Sequence, residues 1–181
     1  VHLIDLFILS KAFQFQKTAK DAGKEIVPIS VNFSKNTLMH PKLMEHIQRD
    51  CDTYGMPEGM IRIEITETIS NMDHMEVRTI ASALHTMGFS ISMDDFGTQY
   101  SNMAVLTQFE FDTVKIDRSM ILNIVEDEKN RTILKHTVPM LEELGMEVVI
   151  EGVETKEQVD VLAELGCDIV QGFFFGKPNE E

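Results

Sequence analysis

The chain has 181 residues, 43% hydrophobic and 25% charged, which suffices for one domain with a real core and is ordinary for a globular protein. A net charge of -14 repels nucleic-acid backbones and argues against general DNA or RNA binding. No apolar run is long enough to span a membrane, and Val1-His2-Leu3-Ile4-Asp5 reads neither as a secretory signal nor as a natural start, so a fragment of a longer cytoplasmic chain is expected.

Helical periodicity runs from Leu3 to Lys20, with Ile4, Phe7, Ile8, Ala12 and Phe15 on one face. A β-rich run follows at Ile26–Phe33. A helix is expected from Pro41, a good first-turn residue, to Tyr54. The next elements are a strand at Met60–Thr66, a helix at Asp73–Met87 and a strand at Phe89–Asp94. A short helix near Ser101–Gln108 leads to a fourth strand, Thr113–Ile116. Then come a helix from Glu128 to Gly145, a strand at Glu147–Ile150, a helix at Lys156–Leu165 and a sixth strand at Ile169–Gln171. The tail from Gly172 reads as loop. Cys51 and Cys167 match no metal spacing and read as free thiols. The six histidines form no HxH or HxxxH pair and read as helix-face residues.

Alternating strands and helices predict a parallel sheet with crossover helices, either an open doubly wound sheet or part of an eight-stranded barrel. Six strands are visible where a barrel needs eight. The polar residues favour the barrel. In Ile61-Arg62-Ile63-Glu64-Ile65-Thr66 the isoleucines share one face and the polar residues the other. Asn32, Asp94, Lys115 and Glu151 fall likewise near the C-terminal ends of their strands, and Gln171 closes the last. In a barrel those ends converge on one pocket. A lone carboxylate there is ordinarily a turn residue or helix cap. That reading is weaker for the adjacent Asp94 and Asp95, and weaker still for Glu64 inside an isoleucine-rich strand. Together Asn32, Glu64, Asp94, Asp95 and Glu151 form a hard oxygen set suited to Mg²⁺ or Mn²⁺, with Lys115 as the nearby fixed cation.

At these residues the chain resembles the EAL family. Ser30-Val31-Asn32-Phe33-Ser34, Ile63-Glu64-Ile65-Thr66-Glu67-Thr68, Met93-Asp94-Asp95-Phe96-Gly97-Thr98, Val114-Lys115-Ile116-Asp117-Arg118, Ile150-Glu151-Gly152-Val153-Glu154-Thr155 and Gln171-Gly172-Phe173 through Gly176-Lys177-Pro178 match its motifs in order and spacing over essentially the whole chain. The resemblance implies a TIM-like (β/α) barrel, here a single partial domain over 1–181 with the first two strands missing. It also implies hydrolysis of cyclic di-GMP to linear pGpG at a two-metal Mg²⁺ or Mn²⁺ site in bacterial signalling. Carried over by position, Asn32, Glu64 and Asp94 hold one metal. Asp94 bridges to a second, assisted by Asp95 and Glu151. Lys115 contacts the catalytic water, Gln171 belongs to the active site, Glu154 either contacts substrate or caps the following helix, and Glu67 anchors the loop after Asp95.

Two departures stand out. The Glu-Ala-Leu motif that names the family is absent and should lie upstream of Val1, which implies weak metal binding and little turnover from these residues alone. Gln99 stands where the family usually has Gly. A second reading is therefore a cyclic di-GMP receptor or regulatory module without turnover. A third, an aldolase-type barrel using Lys115 as a Schiff-base amine, is disfavoured by the surrounding carboxylates. Unpaired strand edges predict a homodimer or domain-swapped assembly, and the whole protein is expected to carry upstream sensory or GGDEF-type domains.

Overall fold

The structure, a computed structural model, describes residues 2–55, 59–66, 69, 72–98 and 103–178. Among the described residues six strands, β1 (Ile29–Asn32), β2 (Ile61–Thr66), β3 (Ser90–Phe96), β4 (Thr113–Ile116), β5 (Glu147–Ile150) and β6 (Ile169–Val170), follow one another in the sheet in chain order. β1 pairs with β2, β4 with β5 and β5 with β6, each in parallel. The helices are α1 (His2–Asp21), α2 (Lys35–Leu38), α3 (Leu43–Tyr54), α4 (His74–Thr86), α5 (Met103–Gln108), α6 (Glu128–Glu143) and α7 (Lys156–Glu164). Strand–helix alternation with parallel pairing is the α/β pattern expected. The chain forms two compact units, Val1–Ser92 with Met103–Glu110, and Met93–Asn102 with Phe111–Glu181.

In the first unit β1 and β2 pair with Val31 opposite Ile63 and Asn32 opposite Glu64. Paired residues of a parallel ladder point to the same side, so one side carries Val31, Ile61 and Ile63, all buried, and the other carries Asn32 and Glu64. The helices cover the apolar side with Leu9 and Phe13 of α1, Leu43 and Ile47 of α3 and Leu84 of α4. α4 starts on Asp73, whose carboxylate accepts from the backbone N–H groups of Met75 and Glu76. In the second unit β4, β5 and β6 pair in sequence, covered by α6 through Leu134, Val138 and Leu141 and by α7 through Leu162. α7 opens on a capping box between Thr155 and Gln158.

Several expectations shift. β1 begins at Ile29, because Pro28 has no N–H to give a ladder. The third helix starts at Leu43 after a turn at Pro41, and the short α2 and a 3₁₀ turn at Arg118–Met120 are additions. β3 runs on to Phe96. The largest correction concerns α1. It buries Leu6, Leu9, Ala12, Phe13 and Gln16, whereas Ile4, Phe7, Ile8 and Phe15 of the expected core face are exposed. Both sides of this helix are apolar, so periodicity alone could not choose between them.

Candidate functional site

In the second unit three of the expected residues meet. Lys115 sits mid-ladder in β4, opposite Val149, and Glu151 follows two residues after Val149, on the same side of the sheet. The Glu151 N–H donates to the Ile116 carbonyl at 3.0 Å, which ties the strand end in place. Lys115 Nζ lies 2.7 Å from Glu151 Oε1 and 3.1 Å from Asp94 Oδ1, with all three side chains largely buried. The contact to Asp94 is within ion-pair reach but lacks hydrogen-bond geometry, so Asp94 Oδ1 is a buried oxygen without a hydrogen bond. One ammonium thus stands between two carboxylates. Burial of this kind is costly unless each charge has a partner, and Lys115 partners both.

Backbone conformation at the neighbouring loops serves this cluster. Asp95 has φ of 60°, the left-handed region that costs a non-glycine residue energy and that Asp tolerates better than most. The strand then turns at Gly97, and the Asp117 N–H donates to the Phe96 carbonyl at 2.9 Å. At Gly152, φ is 74° and a Cβ would meet the Arg118 side chain at 2.5 Å, so glycine lets the arginine stem cross the backbone between Glu151 and Glu154. The Arg118 guanidinium reaches Glu154 at 3.1 Å. Both side chains are well exposed, so the pair orders the turn more than it stabilises the fold. Gln171 is held by its N–H to the Ile150 carbonyl and by its carbonyl to the Val153 N–H. A hollow of about 280 Å³ is lined by Arg118, Glu151, Gly152, Glu154, Gln171 and Phe173.

In the first unit Asn32 and Glu64 stand level on adjacent strands, and the Phe33 N–H donates to the Glu64 carbonyl at 2.8 Å. Glu64 is buried, as its place in an isoleucine strand implied. Glu67 and Gln99 lie outside the described residues. The larger hollow of the first unit, about 630 Å³ and lined by residues such as Met44, Glu45, Ala83 and Met87, is a groove between α3 and α4 and lies at no strand end. His2 and His40 stack with ring centroids 4.8 Å apart, and His46 lies 6.0 Å from His40, so these three are gathered although no sequence spacing pairs them. Stacked rings do not converge their in-plane lone pairs. Among the described residues no three His, Cys, Asp or Glu are arranged to hold a metal ion.

Sequence reasoning missed the role of Arg118, although it stood in a quoted motif beside Asp117. It also missed Asp5 of α1, whose Oδ2 accepts from the Ser34 N–H and hydroxyl and from the Thr37 hydroxyl at 2.9, 2.8 and 2.5 Å. Burial pushes Asp5 up, but these hydrogen bonds outweigh it and leave its carboxyl below the ordinary value of 3.8. Both cysteines are free, as expected. No described helix is long and apolar enough to cross a membrane.

The sequence matches the EAL domain family model over residues 1–178. It is 30% identical over 175 residues to the cyclic di-GMP phosphodiesterase NbdA of Pseudomonas aeruginosa, covering 97% of this chain and 22% of that protein. The fold is similar to the EAL domain of Mycobacterium smegmatis DcpA, with a TM-score of 0.87 and 29% identity over 94% of this chain and 77% of that one. It is also similar to Klebsiella pneumoniae BlrP1 in its manganese and cyclic di-GMP complex, with a TM-score of 0.85 and 29% identity over 98% of this chain and 45% of that one. The chain spans about a fifth of the length of the curated relatives it matches.

Proposed function

Since the chain belongs to the EAL domain family, we propose that it binds cyclic di-GMP and, in the whole protein, takes part in its metal-dependent hydrolysis to linear pGpG. The observation that carries the reading is Lys115 clasped between Asp94 and Glu151 at the strand ends. NbdA is named a cyclic di-GMP phosphodiesterase and BlrP1 has been solved with manganese and cyclic di-GMP, which supports the substrate and the cation class.

Carried over from the family's motifs, Asn32, Glu64, Asp94 and Asp95 would hold the cations, with Glu151 alongside. The donor set fits: its ligand atoms are oxygens, as Mg²⁺ and Mn²⁺ prefer, and Asp94 Oδ1 is buried without a hydrogen bond. Two such ions supply a water nucleophile at neutral pH and charge relief on the leaving oxygen. Lys115 holds Asp94 and Glu151 at fixed spacing and screens their repulsion. Its ammonium can only donate, so it steadies the attacking water or a phosphate oxygen through their lone pairs. Glu151, whose Oε1 is ion-paired with Lys115, accepts the water's proton on its carboxylate. Glu154, oriented by Arg118, and Gln171 line the hollow that receives a base or sugar edge.

The test is chromatography of cyclic di-GMP incubated with the full-length protein and Mg²⁺ or Mn²⁺ at alkaline pH. Expected are pGpG release, its loss with chelator, and its loss in Glu151→Gln. Nucleotide binding without product would favour a receptor or regulatory module. No binding at all would remove cyclic di-GMP from the reading.

A further inference from the structure

The acidic residues of the second unit stand on strands that are not neighbours. Asp94 and Asp95 lie at the end of β3, Glu151 follows β5, and β4 runs between them. The end of β4 is bonded to both sides: the Asp117 N–H donates to the Phe96 carbonyl, and the Ile116 carbonyl accepts from the Glu151 N–H. Next in the chain comes the 3₁₀ turn Arg118–Met120, which has the means to hold its shape. The Asp117 carboxylate caps it by accepting from the Ser119 N–H at 2.9 Å, and the Met120 N–H donates to the Asp117 carbonyl at 3.0 Å. Just beyond, Ile121 and Ile124 are fully buried, and the Ile121 carbonyl accepts from Gln158 Nε2 at 3.3 Å.

The side chains at the two ends of this turn lean on opposite loops, and each meets a glycine. A Cβ at Gly152 would fall 2.5 Å from both Cβ and Cγ of Arg118, and a Cβ at Gly97 would fall 2.6 Å from Cγ and 3.0 Å from Sδ of Met120. Both side chains therefore lie directly against main chain, at distances that only glycine admits. Arg118 goes on to pair with Glu154 at 3.1 Å. Each glycine is within two residues of an acid of the site, Gly97 of Asp95 and Gly152 of Glu151. Asp95 is itself left-handed, with φ of 60°, and such a conformation persists only where its surroundings impose it. Met120, resting on Gly97, is placed to impose it.

We propose that the Arg118–Met120 turn is a spacer between the two acidic loops. Arg118 sets the Glu151–Glu154 turn, Met120 sets the Asp95–Gly97 loop, and a displacement of one passes to the other through the turn. Met120 is then a positioning residue for carboxylates it does not touch. Its effect on cation affinity rests on the metal-dependent reading above; the spacer itself does not. The test is hydrogen–deuterium exchange of the full-length protein without metal or nucleotide. Met120→Ala should speed exchange at residues 95–98 by about fivefold or more, and Met120→Leu by less than about twofold, with β4 and α7 unchanged in both. Gly152→Ala drives a methyl into the Arg118 stem, so it too should speed exchange at 95–98. On top of Met120→Ala it should add nothing there, because the link is already cut. Calorimetric titration with Mn²⁺ alone should then find binding weakened about fivefold or more in Met120→Ala and kept within about twofold in Met120→Leu. Unchanged exchange at 95–98 in Met120→Ala would overturn the spacer. So would an equal response to Gly152→Ala in the two backgrounds, or faster exchange that extends to β4 and α7, which is a plain loss of stability. A looser loop with unaltered Mn²⁺ affinity would overturn the positioning role. A parent protein that takes up no Mn²⁺ would sink the metal reading instead, and the exchange rates would decide the spacer by themselves.

Discussion

Replacing Lys115 with Met leaves two carboxylates facing each other. With Nζ 2.7 Å from Glu151 Oε1 and 3.1 Å from Asp94 Oδ1, the two oxygens are no more than about 6 Å apart. At an effective dielectric of about 20, two unit charges at that distance repel by about 3 kcal/mol. This agrees with the roughly 3–5 kcal/mol that follows removal of one partner from a buried ion pair. The 181-residue Lys115→Met variant should therefore unfold in urea with a stability about 3 kcal/mol below the parent at pH 7, a Tm loss on the order of 6–12 °C. Adding Glu151→Gln should recover most of it, since one of the two charges is then gone. A loss below about 1 kcal/mol, or a double variant no better than the single, would refute the electrostatic account.

Three further outcomes are expected. In Gly172→Ala a new Cβ would strike the Val153 backbone, which cannot step aside, so calorimetry should find a loss of about 3 kcal/mol; a neutral result would show that the 153–172 contact yields. Asp5 has its carboxyl held below 3.8 in the folded state, so its contribution is full above about pH 4 and fades as pH falls through the folded value. The stability gap between the parent and Asp5→Asn should hold constant from pH 7 to 5 and close toward pH 2.5 in thermal melts, and a pH-independent gap would count against the hydrogen-bond explanation. Burial first, then Glu142 and Asp168, push the Cys167 thiol up to about 11, so at pH 8 it should react with iodoacetamide roughly 100-fold more slowly than an unperturbed thiol. Peptide mapping by mass spectrometry checks this.

Most of the framework was legible in the residues. β4 and β5 fall where the pattern put them, at Thr113–Ile116 and Glu147–Ile150, because apolar side chains flanked by turn residues leave a short strand few alternatives. Glu64 was readable as a buried carboxylate for the same reason, set among isoleucines that must face a core. The α1 face was not readable. Leu6, Leu9 and Phe13 and the opposing Ile4, Phe7 and Phe15 are equally apolar, so helical period admits both.

The order of motifs along the chain was enough to assign an α/β arrangement and to nominate Asn32, Glu64, Asp94, Lys115 and Glu151. Local periodicity and residue chemistry are properties of neighbours in sequence, and those survive without coordinates. That Lys115 bridges Asp94 and Glu151, that Arg118 crosses Gly152 to reach Glu154, and that Asp5 ties down Ser34 and Thr37 was decided by tertiary structure alone. Each joins residues brought together by strand register or helix docking, and register and docking are set by the packing of the whole.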